Sequence, residues 1–309
     1  MQTVLITGGT GLIGKELTKK LLEKGYKVII LTRKLPQNSA VLESNVSYAI
    51  WDIKKQTIDV AAMQKADHII HLAGAGVVDK KWTAAYKKEI QDSRTKSSEL
   101  LITTLKNNAN KIKTIVSASA IGWYGPDAVP VKAFIETDKA DTSFLGETCR
   151  LWEERITPVE QLGKRLVILR TGIVLSGEGG ALAEFKKPLQ YGVASILGNG
   201  KQVVSWLHID DLCRLYIEAI ENEQVRGIYN AVSPTPVTNA TLTLTLAREM
   251  RGKFYIAAHV PKFVLQIMLG ERSIEVLKSA TVSSKKIQQA GFSFLYPTIE
   301  SALRELVKK

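Results

Sequence analysis

Gly8, Gly11 and Gly14 stand three residues apart between a short apolar run and a stretch of helical period, a spacing suited to holding a diphosphate. Gly8 permits the tight turn that follows a strand, Gly11 lets the backbone approach the phosphates, and Gly14 lets helix and strand pack closely. Thr10 sits in the turn, and Leu12 and Ile13 open the helix, whose first N–H groups and positive dipole end face the anion. The next apolar run ends Thr32-Arg33-Lys34. A site built for NAD carries an acid about 20 residues beyond the glycines to hold the ribose 2′-hydroxyl. This chain has no acid between Glu23 and Glu43. Arg33 instead offers a planar fork that matches a 2′-phosphate, so the expected cofactor is NADP(H), with NAD less favoured.

The surrounding elements must hold that loop in place. Thr3–Thr7 (TVLIT) reads as a buried parallel strand. Leu12–Glu23 reads as the helix after it, with Leu12, Ile13, Leu17, Leu21 and Leu22 at helical spacing and Gly25 at its end. Lys27–Thr32 completes a strand–helix–strand unit. Strands follow at Val46–Asp52, 68–72, 114–117 and 166–170, with helices over 82–107 and 144–162 between the later ones. This alternation predicts an α/β fold, a Rossmann-type doubly wound parallel sheet with its ligand crevice beyond the carboxyl ends of the strands. Past residue 172 glycines crowd and the pattern loosens; a strand is expected at 203–206 and a helix at 210–222. Residues 241–246 alternate like a strand, but Asn239 ahead and Ala-Arg-Glu-Met behind favour a helix. The expected organisation is a dinucleotide-binding domain over 1–233, with insertions toward a substrate lobe from about 172, and a small, mostly helical C-terminal substrate lobe over 234–309. No Pro/Gly/Ser linker separates the two, so they are expected to pack as one body.

Composition excludes several other classes. The 309 residues can bury a core without staples, and Cys149 and Cys213 are too far apart for a disulfide framework or a metal motif. Two reduced thiols point to the cytoplasm. The net charge of +12 comes from dispersed lysines such as Lys54, Lys55, Lys80 and Lys81, with no interleaved aromatics, so no nucleic-acid partner is expected. Met1 leads straight into a strand without a signal-peptide pattern, and no apolar run approaches the ~18 residues that span a bilayer. Residues 260–270 are apolar but carry Pro261 and Lys262, so a buried helix or a lid is expected there and no membrane partner. A small-molecule substrate is the expected partner; oligomeric state has no sequence signal.

From these residues onward the chain resembles the short-chain dehydrogenase/reductase superfamily, in its extended or atypical branch, over nearly its whole length. The later motifs that carry the resemblance are His71-Leu-Ala-Gly74, Asp92-Ser-Arg94, Ser117-Ala-Ser-Ala-Ile-Gly-Trp-Tyr-Gly125, Trp152-Glu153, Arg170-Thr-Gly-Ile-Val174 and Ser205-Trp-Leu-His-Ile-Asp-Asp211. They are most similar to the NAD(P)-dependent epimerase/dehydratase-like "epimerase family" proteins. The resemblance implies that Thr32 and Arg33 lie at the adenosine 2′-phosphate and that Asp52 approaches the adenine. It implies that Leu72, Ala73 and Gly74 pass over the cofactor, that Glu89 and Arg94 face it from the long helix, and that Ile173 lies near the nicotinamide. Without it, Glu89 and Arg94 read as surface charges.

In most members of that superfamily a Tyr and a Lys four residues later share one helix face. The Lys cation lowers the Tyr pKa, and the Tyr moves a proton while the nicotinamide moves hydride. The matching helix here places Leu145 and Cys149 at those positions, and neither can do that work. Two substitutes stand open. Tyr124 is either a proton donor or a packed aromatic at a turn. His208 either titrates near neutrality or caps the helix that starts at Asp210. Ser119 is the first choice for a substrate-orienting hydroxyl, with Ser117 not separable from it because the motif is one residue longer than usual. The expected function is an NADP(H)-dependent oxidoreductase or nucleotide-sugar epimerase/dehydratase-like enzyme acting on a sugar-like substrate. The alternative is an NADP(H)-binding regulatory protein without turnover.

Overall fold

The computed structural model describes residues 1–36 and 45–308; Glu43, where the acid-free stretch ends, lies outside them. The first half alternates strands and helices: β1 (Thr3–Thr7), α1 (Leu12–Glu23), β2 (Lys27–Thr32), β3 (Val46–Asp52), β4 (Thr57–Ile58), α2 (Val60–Lys65), β5 (His68–His71), α3 (Ala84–Asn107), β6 (Thr114–Ala120), α4 (Phe144–Ile156) and β7 (Arg165–Thr171). The second half is less regular. It runs β8 (Ile173–Ser176), β9 (Gly179–Gly180), α5 (Ala181–Gln190), β10 (Val193–Leu197), β11 (Val203–Val204), β12 (Trp206–His208), α6 (Ile209–Glu221), β13 (Gly227–Ala231) and β14 (Val237–Thr238). It ends with α7 (Asn239–Arg251), β15 (Ile256–Val260), α8 (Lys262–Leu269), α9 (Ser273–Leu277), α10 (Lys285–Gln289) and α11 (Ile299–Lys308).

Eight strands form one sheet in the order β13-β7-β6-β5-β1-β2-β3-β4, and every pair is parallel except β3–β4. The chain turns back across β1, with β2 on one side and β5 on the other, so a crevice opens beyond the carboxyl end of β1. The apolar runs are continuous because both faces are covered. Val4, Ile6, Val28 and Ile30 meet α1 and α6, whereas Leu5, Ile29, Leu31 and Ile69 meet α2 and α3. Leu242, Leu246 and Ala247 of α7 and Leu303 and Leu306 of α11 join the first of these cores, which ties the C-terminal residues to the sheet.

Several boundaries differ from the sequence expectation. The helix from 144 stops at Ile156 and continues as a 3₁₀ turn over Thr157–Leu162, because Pro158 has no N–H to donate. The strand expected at 203–206 is two short strands broken at Ser205, whose hydroxyl donates to Ala280 O and accepts from Val282 N. Residues 260–270 do not form a buried helix. In α8 only Leu265 is buried, while Phe263, Ile267 and Met268 are 63–78% exposed. Among the described residues no helix is long and apolar enough to cross a membrane, both cysteines are free and buried, and no group of three His, Cys, Asp or Glu could hold a metal.

Candidate functional site

β1 delivers Gly8 into the turn at φ +71°, the left-handed region where a side chain is strained. A Cβ on Gly8 would lie 3.0 Å from the Leu72 carbonyl carbon, and one on Gly14 would lie 2.5 Å from both Gly8 O and Gly9 Cα. Both glycines are therefore required by close backbone approach. Gly11 and Thr10 are exposed, and Gly11 is the cap residue of α1 with no side chain satisfying the first turn. The opening N–H groups, at Leu12 and Ile13, are left for an anion or solvent. A diphosphate fits this cradle. A cavity of about 560 Å³ lined by Gly9, Thr10, Lys15, Thr18, Ile30 and Tyr48 flanks it on the α1 side of the sheet.

The loop after β5 is pinned to this cradle by residues that sequence reasoning missed. Thr7 Oγ1 accepts from the N–H groups of Leu72 and Ala73, both at 3.1 Å, and lies 2.7 Å from His71 Nδ1. Its one proton therefore goes to Nδ1, and the imidazole carries its own proton on Nε2, which faces the hydroxyls of Ser97 and Ser98 at 3.2 and 3.3 Å. Complete burial, reinforced by the Arg94 charge, pulls the His71 pKa down to about 3. The neutral ring thus ties β1, β5 and α3 together and presents Leu72, Ala73 and exposed Gly74 beside Gly8.

On the adenosine side, Thr32 ends β2 and donates to Lys34 O. Arg33 is exposed just beyond it. Asp52 ends β3, and its Oδ1 accepts from the N–H groups of Lys54 and Lys55 at 2.8 and 3.1 Å, which fixes the following turn. These residues lie at the carboxyl ends of adjacent strands. Glu89 and Arg94, though both on α3, are not brought together. Glu89 is exposed and pairs with Lys80, whereas Arg94 turns inward against Gly74. Ile173, 38% exposed, begins β8.

The candidate proton-transfer residues occupy a buried network instead of a cleft. Ser119 donates to Glu153 Oε1 at 2.6 Å, and Arg170 closes a two-pronged ion pair on the same carboxylate at 2.8 and 2.9 Å. Arg170 Nη1 also donates to the Tyr124 hydroxyl, which in turn donates to Asn230 Oδ1 at 2.7 Å. Tyr124 is fully buried and stacked on Phe134, and burial pushes its pKa up to about 12. Ser117 is fully buried, with its hydroxyl 3.1 Å from Ala118 O. For Tyr124 the structure shows an aromatic packed at the turn. For His208 it shows the cap: Nδ1 accepts from Asp210 N at 3.1 Å, Nε2 faces Glu305 at 3.0 Å, and the buried ring stacks on Tyr296. Burial lowers the His208 pKa, against Asp210 and Glu305, which raise it.

Leu145 and Cys149 face the 3₁₀ turn (Ile121–Trp123) that follows β6. A Cβ on Gly122 would lie 3.2 Å from Leu145 Cβ and 3.7 Å from Cys149 Sγ. Burial pushes the Cys149 thiol up to about 11 against the opposing charge of Arg94, so it is neutral at ordinary pH. Leu145 and Cys149 thus present neither a phenol nor a cation to this turn.

The sequence model of the NAD dependent epimerase/dehydratase family matches residues 4–231, and a domain of unknown function matches residues 260–306. An epimerase family protein of Staphylococcus aureus is 36% identical over 310 residues, covering 100% of both chains. One from Staphylococcus saprophyticus is 35% identical over 308 residues, covering 99% of this chain and 100% of that one. The crystal structure of the human epimerase family protein SDR39U1 (isoform 2) with NADPH superposes with a TM-score of 0.85 at 25% identity, covering 100% of each chain. A nucleoside-diphosphate sugar epimerase from Corynebacterium glutamicum superposes with a TM-score of 0.77 at 30% identity, covering 99% of this chain and 58% of that one. The chain belongs to the NAD dependent epimerase/dehydratase family.

Proposed function

We propose that this family member binds NADP(H) in preference to NAD(H) and uses it on a small, sugar-like molecule without a side-chain Tyr/Lys proton relay. The observation that carries the cofactor reading is exposed Arg33 at the carboxyl end of β2, where an acid would select NAD. The NADPH in the human relative supports it. Gly8, Gly11 and Gly14 with the start of α1 would hold the diphosphate, Thr32 and Arg33 the 2′-phosphate, Asp52 the adenine side, and Leu72 to Gly74 and Ile173 the nicotinamide side. When bound, the nicotinamide supplies a hydride donor or acceptor. The chain's own contribution is then positioning, with any proton drawn from solvent, because Tyr124, His208, Ser117 and Ser119 are committed inside the protein.

The same commitments favour a second reading, an NADP(H)-binding regulatory protein without turnover. The two separate in one experiment. The protein is incubated with NADPH deuterated at C4 and a panel of nucleotide keto-sugars, whose carbonyl carbon can accept the deuteride while solvent supplies the proton to its oxygen, and loss of the label is followed by mass spectrometry. Label transfer to a sugar establishes the enzyme; tight NADPH binding with label retained across the panel establishes the second reading. Equal affinity for NADH and NADPH would sink the cofactor assignment.

A further inference from the structure

Residues 250–270 make a surface without an acid. From Met250 to Gly270 the chain carries Arg251, Lys253 and Lys262 and no Asp or Glu. Among residues 251–270 only Leu265 is buried. The exposed side chains are large and apolar. Phe254 precedes β15, Ile256 begins it, and Phe263, Ile267 and Met268 belong to α8, each between 63% and 87% exposed. Exposed Tyr191 lies at the same end of β15 as Ile256, because Gly192 O accepts from Ile256 N at 2.9 Å. Phe263 and Ile267 stand about one turn apart and share a face of α8. β15 pairs with β10 along one edge, and among the described residues no strand takes the other. Apolar residues exposed singly are ordinary; a run of them marks a surface that meets another apolar body.

The charges on this surface narrow what that body is. Among the described residues no carboxylate pairs with Lys253 or Lys262. Arg251 donates to the carbonyls of Leu189 and Gln190 at the end of α5, which leaves its charge uncompensated by an acid. The nearest acids along the chain are already paired: Glu249 with Arg304, Glu271 with Lys87 and Glu275 with Lys278. A second copy docked face to face would set these cations against their own counterparts, which opposes association. An anionic lipid surface answers both features together. Its headgroups attract the cations, and its acyl boundary takes aromatic and aliphatic side chains. The net charge of +12 acts in the same direction at longer range. Crossing a bilayer needs ~18 consecutive apolar residues, whereas lying on one needs only an apolar face with cations beside it. The shortness of the apolar run therefore argues against a span and not against a surface contact.

We propose that β15 and α8 dock the protein peripherally on an anionic lipid surface. Phe254, Phe263, Ile267 and Met268 enter the headgroup layer, and Lys253 and Lys262 rest on lipid phosphates. The docking requires no bound cofactor.

Vesicle sedimentation of the whole protein tests this, with vesicles of phosphatidylcholine alone and of equal parts phosphatidylcholine and phosphatidylglycerol. The wild type is expected to pellet with the mixed vesicles, to ignore the neutral ones and to dissociate as salt rises. Two variants divide the contributions: Phe263→Ser with Ile267→Ser, and Lys253→Gln with Lys262→Gln. Each should lower partitioning roughly 10- to 100-fold. Both should keep the wild-type melting temperature, since the side chains they change are exposed. If the α8 variant misfolds, the lysine variant still decides. Lys106→Gln with Lys113→Gln removes the same charge from exposed positions elsewhere and should change partitioning little. An equal loss in that control would reduce the binding to net charge and overturn the proposal. Failure of the wild type to bind mixed vesicles, or equal binding to neutral ones, overturns it as well. So does an oligomer formed without lipid that the α8 variant dissociates, which would make this face an interface between copies.

Discussion

At the carboxyl end of β1 the chain leaves polar groups unmet, whereas at the carboxyl end of β6, two strands away, it meets nearly all of them. The first turn of α1 has no side-chain cap, Gly11 and Gly74 are exposed, and Arg94 lacks a counter-charge. Around β6, Ser119, Glu153, Arg170, Tyr124 and Asn230 satisfy one another in a closed chain. A binding surface must keep donors in reserve for its ligand, and a general acid must keep a proton in reserve for its substrate. The first side keeps that reserve and the second does not. The contrast is between a cradle whose donors remain free and a β6 side whose polar groups bond one another.

The largest expected effect strikes the first side. In Gly14→Val the side chain would start 2.5 Å from Gly8 O, so the loop must move. NADPH affinity should fall by roughly 100-fold or more, as several charged hydrogen bonds are lost together, and the melting temperature should fall with it. Gly11→Val sharpens the comparison, because a Cβ there meets only Gly8 O, at 3.3 Å. It should lose affinity while keeping the melting temperature of the wild type. If Gly11→Val binds normally, the diphosphate lies elsewhere.

The second side should respond in the opposite sense. Glu153→Ala leaves the Arg170 guanidinium, 1% exposed, without its carboxylate. Removing one partner of a buried pair costs about 3–5 kcal/mol, so denaturant unfolding should show a large loss of stability. NADPH affinity, measured where the variant is still folded, should be unchanged. The double variant Glu153→Leu with Arg170→Met should recover part of the loss, since no charge is left stranded. A drop in nucleotide affinity that survives in the folded double variant would break the division between the two sides.

Acid probes the pin between β1 and β5. The ordinary histidine pKa is near 6.5, and in the folded chain burial takes His71 down to about 3. Below 6.5 the unfolded chain binds a proton that the folded chain refuses. The contribution to stability is therefore complete above pH 6.5 and is lost as pH falls toward 3, at about 1.4 kcal/mol per pH unit. His68, lowered to about 4 by burial, acts in the same direction. Unfolding free energy measured between pH 4 and 7 should be less steep in His71→Gln than in the wild type. An equal slope would mean that the ring is protonated in place. At the outer edge of the same side, Arg33→Ala should cost roughly 1.5–3 kcal/mol of NADPH affinity and leave NADH unaffected.

Legibility in the sequence follows the same division. The strands and helices of the first half could be read because apolar periodicity and glycine punctuation are local signals. The diphosphate loop could be read because its glycines stand at fixed spacing between a strand and a helix, although the close approach that demands Gly8 comes from Leu72. The β6 network could not, because its partners lie 17, 46 and 106 residues apart. Read singly, Tyr124 and His208 are plausible acids; only their partners show them committed. Thr7 and His71 are separated by 64 residues, and nothing in either strand marks the bond. From its own helix Arg94 read as a surface charge, because α3 is a 24-residue polar helix, and only the family resemblance turned it toward the cofactor. Residues 260–270 misled in the other direction: apolar composition suggested a buried helix or a lid, yet in α8 only Leu265 is buried.

The smallest expected effect is also the sharpest on mechanism. Removing a working general acid lowers turnover on the order of 10²–10⁴-fold. Tyr124→Phe deletes a hydroxyl that donates to Asn230 and accepts from Arg170 at zero exposure, so its cost should appear in stability. Cys149→Ala deletes a thiol held neutral by a pKa near 11, and His208→Gln deletes a ring committed to a helix cap and to Glu305. With any substrate that accepts label from deuterated NADPH, each variant should transfer it within about threefold of the wild type, far short of the loss of an acid. The three should also leave the pH profile of transfer superimposable, because none of these groups exchanges a proton with the crevice. A hundredfold loss in Tyr124→Phe, with stability intact, would mean that the β6 network opens during the reaction and hands its proton outward. The two sides of the crevice would then differ in timing and not in role.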